Sequence, residues 1–112
     1  MKIIILGAGA VGSHLAKMLR AEGYDITVID NDEGRLSRLS DVADVRAIRG
    51  NPSSTKVLRN AGVAKSDLFI AVYPSTLQET NIVGALLAKR MGAAKVIARV
   101  NDEEYLSADN YL

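Results

Sequence analysis

The chain has 112 residues, which is enough for one folded domain and leaves almost no room for a second. Its 14 Lys and Arg against 13 Asp and Glu give no electrostatic reason to expect nucleic acid or an anionic membrane as the main partner. The absence of cysteine excludes disulfides and Cys-ligated metals, and the single histidine excludes a multi-histidine metal site. No apolar stretch approaches the roughly 20 residues of a membrane span, so we expect a cytoplasmic domain without direct membrane insertion.

Short aliphatic runs alternate with helical patterns along the chain. The apolar character of the runs is continuous rather than alternating, although the third run, Val45 to Ile48, is weaker; this is typical of parallel strands covered on both faces. They lie at residues 3–6, 26–29, 45–48, 68–72 and 96–98. Strand and helix repeating at this spacing predict βαβ units with right-handed crossovers. We therefore expect an α/β fold, a Rossmann-like doubly wound parallel sheet of about five strands in the order 3-2-1-4-5 with helices on both faces.

The segments between the runs have helical periodicity and recognisable ends. The first predicted helix has one apolar stripe, made of Val11, Leu15, Met18 and Leu19. Helix starts are expected at Asn31 and at Pro52-Ser53-Ser54. Helix ends are expected at Gly23, Gly62 and Gly92, because glycine takes the left-handed conformation at low cost.

A glycine-rich motif follows the first run and opens the first helix. It reads Gly7-Ala8-Gly9-Ala10-Val11-Gly12, which is the dinucleotide-binding pattern G-x-G-x-x-G. Gly7 makes the tight turn, Gly9 lets the backbone approach a pyrophosphate, and Gly12 lets the helix pack close to the strand. The phosphates would bind free N–H groups at the helix N-terminus. The alternative is a glycine-rich turn with no ligand.

An acidic residue ends the second run at the distance expected for a ribose-binding carboxylate. Asp30 lies 23 residues after Gly7. A carboxylate there accepts hydrogen bonds from ribose and repels a 2′-phosphate, and Asn31 and Asp32 add no positive charge. NAD is therefore favoured over NADP. The alternative role for Asp30 is that of a helix cap.

The residues needed for catalysis are missing from the pattern. His14 lies inside the first predicted helix and is interpreted as an ordinary polar helix residue. Tyr73 follows the fourth run, where ligands bind beyond the carboxyl ends of strands, so it is a candidate for the crevice; a core or rim tyrosine is the alternative. No convincing Tyr-x-x-x-Lys pair, Ser-His-Asp set or carboxylate dyad is found. We expect no catalytic residue and no enzyme activity in this chain.

Longer stretches of the chain carry a more specific pattern than the glycine loop alone. They are residues 2–12, 25–30, 58–63 and 66–72, the Glu79-x-Asn81 pair, and 98–100 followed by Glu104-Tyr105. Together they resemble the N-terminal nucleotide-binding half of the RCK domain, also called KTN or the Trk N-terminal domain. This family contains regulatory subunits of bacterial and archaeal potassium transporters and channels. The resemblance implies that residues 1–112 are a single nucleotide-binding domain, a fragment of a longer chain. It also implies that NAD or NADH is an allosteric ligand that gates a membrane pore subunit.

The resemblance assigns ligand contacts residue by residue. The loop from Gly7 to Gly12 would hold the phosphates and Asp30 the adenosine ribose. The candidate site also includes Asn31, Asn51, Tyr73, Glu79 and Arg99. Asn51 replaces the aspartate that the family often has near the adenine, which puts the base preference in doubt. Ala10 replaces the loop arginine of ATP-binding relatives, which favours NAD or NADH while ATP, ADP or AMP remain alternatives. Arg99 could instead be a solvated surface residue, and Glu79 and Asn81 could be structural.

The apolar segment 82–88 suggests a way for subunits to assemble. It is apolar all round, so it is either a central helix packed deeply against the sheet or a helix with a second face for assembly. The resemblance favours assembly into a homo-oligomer, a dimer or a ring, with Gly84 and Ala85 permitting close approach. It places the protein at the inner face of the membrane through its pore partner. The alternative functions are the cofactor half of an NAD-dependent dehydrogenase and an ATP- or AMP-sensing relative.

Overall fold

The fold is a five-stranded parallel sheet covered on both faces by helices. The structure is a computed structural model that describes residues 1–100. The strands are β1 (Lys2–Leu6), β2 (Asp25–Asp30), β3 (Arg46–Arg49), β4 (Leu68–Ala71) and β5 (Val96–Ala98). The helices are α1 (Ala10–Ala21), α2 (Glu33–Ser40), α3 (Thr55–Asn60) and α4 (Gln78–Met91), with single 3-10 turns at Val63–Lys65 and Ser75–Leu77. The strand order β3-β2-β1-β4-β5 confirms the predicted topology.

The central strand β1 is buried on both sides, which explains its continuous aliphatic run. Ile4 and Leu6 pack with side chains of α3 and α4 on one face of the sheet. Ile3 and Ile5 pack with side chains of α1 and α2 on the other face. Because successive strand residues point to opposite faces, only an all-apolar sequence can satisfy both cores.

Only two of the four residues in the predicted apolar stripe of α1 pack against the sheet, so the prediction is wrong for the other two. Leu15 and Leu19 pack against the sheet, but Val11 is 39% exposed and Met18 is 52% exposed. The buried positions of the helix are Gly12 and Ala16. A Cβ at Gly12 would overlap the carbonyl oxygen of Gly7, so the helix approaches β1 too closely for a larger residue to face it. The face of α1 that carries Gly12 and Ala16 therefore packs against the sheet, and Val11 and Met18 are directed outward.

The small residues of α4 also face the sheet, which corrects the role expected for them. Gly84 and Ala85 are buried, and a Cβ at Gly84 would lie 2.6 Å from Cδ2 of Leu6. These residues therefore permit close approach of α4 to the sheet, not of a second subunit. The outward side of α4 carries Val83 and Leu86, the latter 60% exposed.

Helix ends agree with the expected residues at all but one position. Gly23, Gly62 and Gly92 have positive φ where helices were predicted to stop. Ser54 caps α3 by accepting a hydrogen bond from the N–H of Val57, as expected. The cap of α2 is Asp32 rather than Asn31: its side chain accepts the N–H of Arg35 at 3.2 Å. The predicted start was therefore one residue too early.

The cap of α2 gives a prediction about pH dependence. The hydrogen bond from the Arg35 N–H holds the pKa of the Asp32 carboxyl below its ordinary value. A lowered pKa in the folded state contributes stability at neutral pH that is lost as the pH falls below about 4. Asn caps helices as well as Asp does, so Asp32→Asn should keep the cap and remove this pH dependence. Urea denaturation at neutral pH and at about pH 3 should show the smaller decrease for the variant. Parallel decreases in the two proteins would contradict the assignment.

Candidate nucleotide-binding site

The glycine loop lies at the carboxyl edge of the sheet, between β1 and α1. The N–H of Gly7 donates to the carbonyl of Ile29 at 2.8 Å, which joins the loop to the end of β2. Gly7 has φ +111°, and a Cβ there would lie 3.0 Å from the backbone nitrogen of Tyr73. A Cβ at Gly9 would meet nothing within 4 Å. The space above Gly9, at the N-terminus of α1, is therefore open to a group that accepts hydrogen bonds from backbone N–H groups.

Asp30 is fully buried at the end of β2, beside the glycine loop. Its Oδ2 accepts the N–H of Ala8 at 2.7 Å, and its Oδ1 accepts the N–H of Asp32 at 2.8 Å. The carboxylate thus ties the loop to the segment after β2 and does not cap α2. A carboxylate has about four acceptor positions, so two backbone N–H groups leave part of its acceptor capacity unused.

A cation that sequence reasoning missed lies next to this carboxylate. Nη1 of Arg35 is 3.9 Å from Oδ2 of Asp30, and its Nε is 3.8 Å from Oδ2 of Asp32. A guanidinium therefore lies at the end of β2, where the sequence analysis considered only Asn31 and Asp32 and expected no positive charge. The signal was the spacing: Arg35 lies one helical turn after the cap, so it points back toward the end of β2.

Tyr73 is both a core residue and a residue of the crevice. Its ring belongs to the core under α4, and its hydroxyl oxygen accepts the N–H of Asn31 at 3.3 Å. Burial, together with the negative charge of Asp30, raises the pKa of Tyr73 to about 12. The hydroxyl therefore stays neutral at physiological pH and joins the ends of β2 and β4.

The tyrosine gives a second pH prediction. Because its pKa is raised in the folded state, its contribution to stability is complete below the unfolded value of about 10 and decreases as the pH rises further. Of the four tyrosines, Tyr73 should ionise only near pH 12. An ultraviolet absorbance titration should lose this late component in Tyr73→Phe. An unchanged late component in that variant would contradict the assignment.

A cavity of about 520 Å³ continues from this corner toward the end of β3. Its lining includes three residues that the sequence analysis selected, Asn31, Asn51 and Tyr73, together with Arg49 and Thr80. The loop from Gly50 to Ser53 forms one wall, and Leu77 contributes to the opposite side. The structure thus brings the β2, β3 and β4 ends together around one concave space, as expected for a crevice at the carboxyl edge.

The other selected residues lie away from the cavity lining. Glu79 is exposed in the first turn of α4, and Arg99 is exposed just after β5. Asn81 is fully buried: its Oδ1 accepts the N–H of Tyr73 at 2.8 Å, and its Nδ2 donates to the carbonyls of Tyr73 at 3.0 Å and of Arg99 at 3.1 Å. These contacts are all with backbone groups, and they fit the structural role given above as the alternative for Asn81.

The described part of the chain has neither a cluster of metal-ligating side chains nor a membrane-spanning helix. Within residues 1–100, no group of three or more His, Cys, Asp or Glu side chains is placed to hold a metal ion. No helix in the same range is long and apolar enough to cross a membrane. His14 is exposed on α1.

Comparison with known proteins gives matches over nearly the whole chain. The profile of the TrkA-N domain family matches residues 3–110. The Trk system potassium uptake protein TrkA homolog of Archaeoglobus fulgidus is 46% identical over 106 residues, which are 95% of this chain and 23% of the relative. TrkA of Haemophilus influenzae is 46% identical over 107 residues, again 95% of this chain and 23% of the relative. The chain therefore spans less than a quarter of the length of these curated relatives.

A solved structure with little sequence similarity has the same fold. It is the NAD(P)-binding domain of an exopolyphosphatase-related protein from Archaeoglobus fulgidus, with a TM-score of 0.79 and 16% identity. The superposition covers 96% of this chain and 79% of that one. The likeness confirms the expected Rossmann-like architecture.

Proposed function

The chain belongs to the TrkA-N domain family, and from this premise we propose that it is a regulatory domain that binds NAD or NADH and thereby gates a potassium transporter or channel. The two curated relatives described above, each 46% identical to the chain, are named Trk system potassium uptake proteins. In the proposal, the ligand is not converted. It acts through a difference in affinity between two conformations of the assembled protein.

The observation that carries the proposal is that three features lie along one edge of the sheet, with Asn31 and Tyr73 of the cavity lining next to Asp30 and Gly7. Open space lies over the helix N-terminus at Gly9, a buried carboxylate follows at Asp30, and a cavity continues to the end of β3. These suit, in this order, a pyrophosphate, a ribose and a base. The loop has alanine at position 10 and contains no cationic side chain. A terminal phosphate, as in ATP, would need such a cation to hold it, so this supports a dinucleotide as the ligand.

The family supports the proposed partner, and the outward face of α4 supports the proposed assembly. The proposed partner is the membrane pore subunit, which would hold the domain at the inner face of the membrane. Val83 and Leu86 expose apolar surface on α4, and this supports burial against another copy in a dimer or ring. Neither residue contributes to the nucleotide crevice, so assembly and ligand binding use separate surfaces.

Nucleotide binding is tested by placing a negative charge in the loop. Ala10 is the exposed first residue of α1. A carboxylate there is favourable for the helix, but it repels a bound phosphate by about 1 kcal/mol or more, which weakens binding about fivefold or more. In calorimetric titrations, NADH and NAD should bind the native chain and bind Ala10→Asp much more weakly. The uncharged, equally shaped Ala10→Asn is the control and should bind nearly as the native chain does.

The same titrations distinguish the alternatives. Tighter binding of ATP or AMP than of either dinucleotide would support an ATP- or AMP-sensing relative instead. Failure of all four nucleotides to bind the native chain would overturn the proposed ligand site.

Regulation of a pore is tested in cells. A chimera in which this chain replaces the matched segment of Haemophilus influenzae TrkA should restore growth at limiting potassium to a strain that lacks TrkA. The chimera with Ala10→Asp should restore it less well than the one with Ala10→Asn. Equal growth with both variants would show that nucleotide binding does not control uptake. An inactive chimera whose isolated domain still binds NADH would separate binding from regulation.

A further inference from the structure

The small net charge of the chain conceals an unequal distribution of charge along it. Residues 45–100 contain nine Lys and Arg, and their only acidic residues are Asp67 and Glu79. Residues 1–44 contain five Lys and Arg against seven Asp and Glu, and residues 101–112 contain four acidic residues and no cation. The positive charge is therefore concentrated in the part of the chain that forms β3 to β5 with α3 and α4.

Six of these nine cations lie at the amino edge of the sheet, where the strands begin, opposite the nucleotide crevice. Two lie at or directly before the start of a strand, and one ends the 3-10 turn that leads into β4. A helix that connects parallel strands runs antiparallel to them, so the last turns of α3 and α4 lie at the same edge and supply the other three. All six are exposed, and together they form what we call the basic edge: Arg46, Arg59, Lys65, Lys89, Arg90 and Lys95.

Contacts between the segments join the basic edge into one surface. Nη2 of Arg46 donates to the carbonyl of Asn60 at 3.4 Å, which joins the start of β3 to the end of α3. Two residues separate α3 from the 3-10 turn, and a Cβ at Gly92, after α4, would lie 3.0 Å from a carbonyl oxygen of that turn. Nζ of Lys89 donates to the carbonyl of Ala94 at 3.0 Å, which joins the end of α4 to the start of β5. The surface is therefore continuous from β3 to β5.

The charge of the basic edge is not compensated by carboxylates of the described chain. Within residues 1–100, none of its six side chains forms an ion pair. The acidic residues that begin or precede strands at this edge adjoin other cations. Asp44 pairs with Arg20 at 3.2 Å. Asp25 is the strand partner of Lys2, and Oδ2 of Asp67 accepts the backbone N–H of Lys2 at 2.7 Å. The basic edge is thus available to an anionic partner.

The chemistry of the basic edge fits the anionic headgroups of a membrane surface. Clusters of about four to eight Lys and Arg are typical of surfaces that bind anionic lipids. Neither the nucleotide cavity nor the groove between α2 and β3 is lined by its residues, so its charge is spread over a surface rather than collected in a pocket. Within residues 1–100, no aromatic side chain is among the exposed ones, so the stacking platform used to bind single-stranded nucleic acid is missing.

We propose that the basic edge docks the domain peripherally on anionic phospholipid headgroups, with the nucleotide crevice directed away from the membrane. The choice of a lipid rests on the proposed function, which places the domain at the inner face of the membrane, where the leaflet is anionic. Because the crevice lies at the carboxyl edge of the sheet, nucleotide and lipid contact opposite ends of the domain. The domain can therefore hold both at once.

The test measures binding to phospholipid vesicles by co-sedimentation. Vesicles of phosphatidylcholine with about one-third phosphatidylglycerol should bind the native chain at about 0.1 M salt, whereas phosphatidylcholine alone should not. Salt at about 0.5 M should release the chain, because exposed charges are then screened over a shorter distance. Lys65→Gln with Lys95→Gln removes two charges of the basic edge and should weaken binding to the mixed vesicles about thirtyfold. Both side chains are exposed, so the fold should be kept.

A matched control separates the basic edge from net charge. Lys17→Gln with Arg38→Gln removes the same charge from exposed residues of α1 and α2 and should bind the mixed vesicles nearly as the native chain does. Equal weakening in the two double variants would overturn the inference, because net charge alone would then explain the binding. Failure of the native chain to bind the mixed vesicles, or tighter binding of a double-stranded DNA oligonucleotide under the same conditions, would also overturn it.

Calorimetry with NADH keeps this test separate from that of the proposed function. The variant with Lys65→Gln and Lys95→Gln should bind NADH as the native chain does, because neither residue lines the nucleotide cavity. NADH binding without vesicle binding would overturn the basic edge as a lipid surface and leave the proposed ligand standing. Vesicle binding that depends on Lys65 and Lys95, without NADH binding, would support the basic edge and overturn the proposed ligand.

Discussion

Replacing Gly9 by alanine is expected to abolish nucleotide binding while the domain stays folded. Gly9 has φ −74° and ψ −159°, an extended conformation that alanine adopts freely. The added methyl group would meet no protein atom within 4 Å. It would instead occupy the space over the first turn of α1, where a pyrophosphate must approach the backbone. Alanine is a poorer N-cap than glycine, so a loss of about 1 kcal/mol or less in unfolding free energy is expected.

The same substitution three residues later should have the opposite result. A Cβ at Gly12 would overlap the carbonyl oxygen of Gly7 and lie 2.8 Å from its carbonyl carbon. Because both atoms belong to the backbone of the glycine loop, α1 must move away from β1. Gly12→Ala should therefore lower the unfolding free energy by about 3 kcal/mol or more. Urea denaturation measures the stability of both variants, and calorimetry with NADH measures binding to whichever remains folded. Native-like NADH affinity in Gly9→Ala would place the phosphates elsewhere.

The topology was predictable because its signals are local. Continuous aliphatic runs are needed wherever a strand has a core on each face, as β1 has. Turn chemistry marks where helices stop, and the three glycines with positive φ lie at the expected places. With the crossover rule, these signals leave few arrangements of five strands.

The details that sequence did not predict depend on contacts between distant residues. Helical spacing places Val11 and Met18 in one apolar stripe with Leu15 and Leu19. In the structure, the close approach of Gly12 to Gly7 turns the face of α1 with Gly12 and Ala16 toward the sheet and leaves Val11 and Met18 exposed. Spacing predicts that Asp30 is a ribose ligand, but it does not reveal that two backbone N–H groups already donate to its carboxylate. Residue type fixes the chemistry that is available, whereas the direction in which a side chain points depends on tertiary packing.

Asn81 shows how residue type and tertiary packing combine. Its removal is expected to be the most destabilising change in α4. One fully buried amide pairs with the N–H and the carbonyl of Tyr73 and with the carbonyl of Arg99. Asn81→Leu would leave these three backbone groups without the amide, each at a cost of about 1–3 kcal/mol. We expect a loss of about 3 kcal/mol or more in unfolding free energy by urea denaturation. Glu79→Gln, two residues earlier and exposed, is the control and should stay within about 0.5 kcal/mol of the native chain.

Replacing Asn81 should also affect the nucleotide crevice, because Tyr73 contacts both Asn81 and the crevice residue Asn31. Its backbone is held by Asn81 and its hydroxyl by the N–H of Asn31. If Asn81 positions the end of β4, the folded fraction of Asn81→Leu should also bind NADH more weakly than Glu79→Gln does. A variant that loses stability but keeps native affinity would limit Asn81 to the core. A loss of less than about 1 kcal/mol would mean that solvent or neighbouring groups replace the amide, since buried backbone groups are seldom left unpaired.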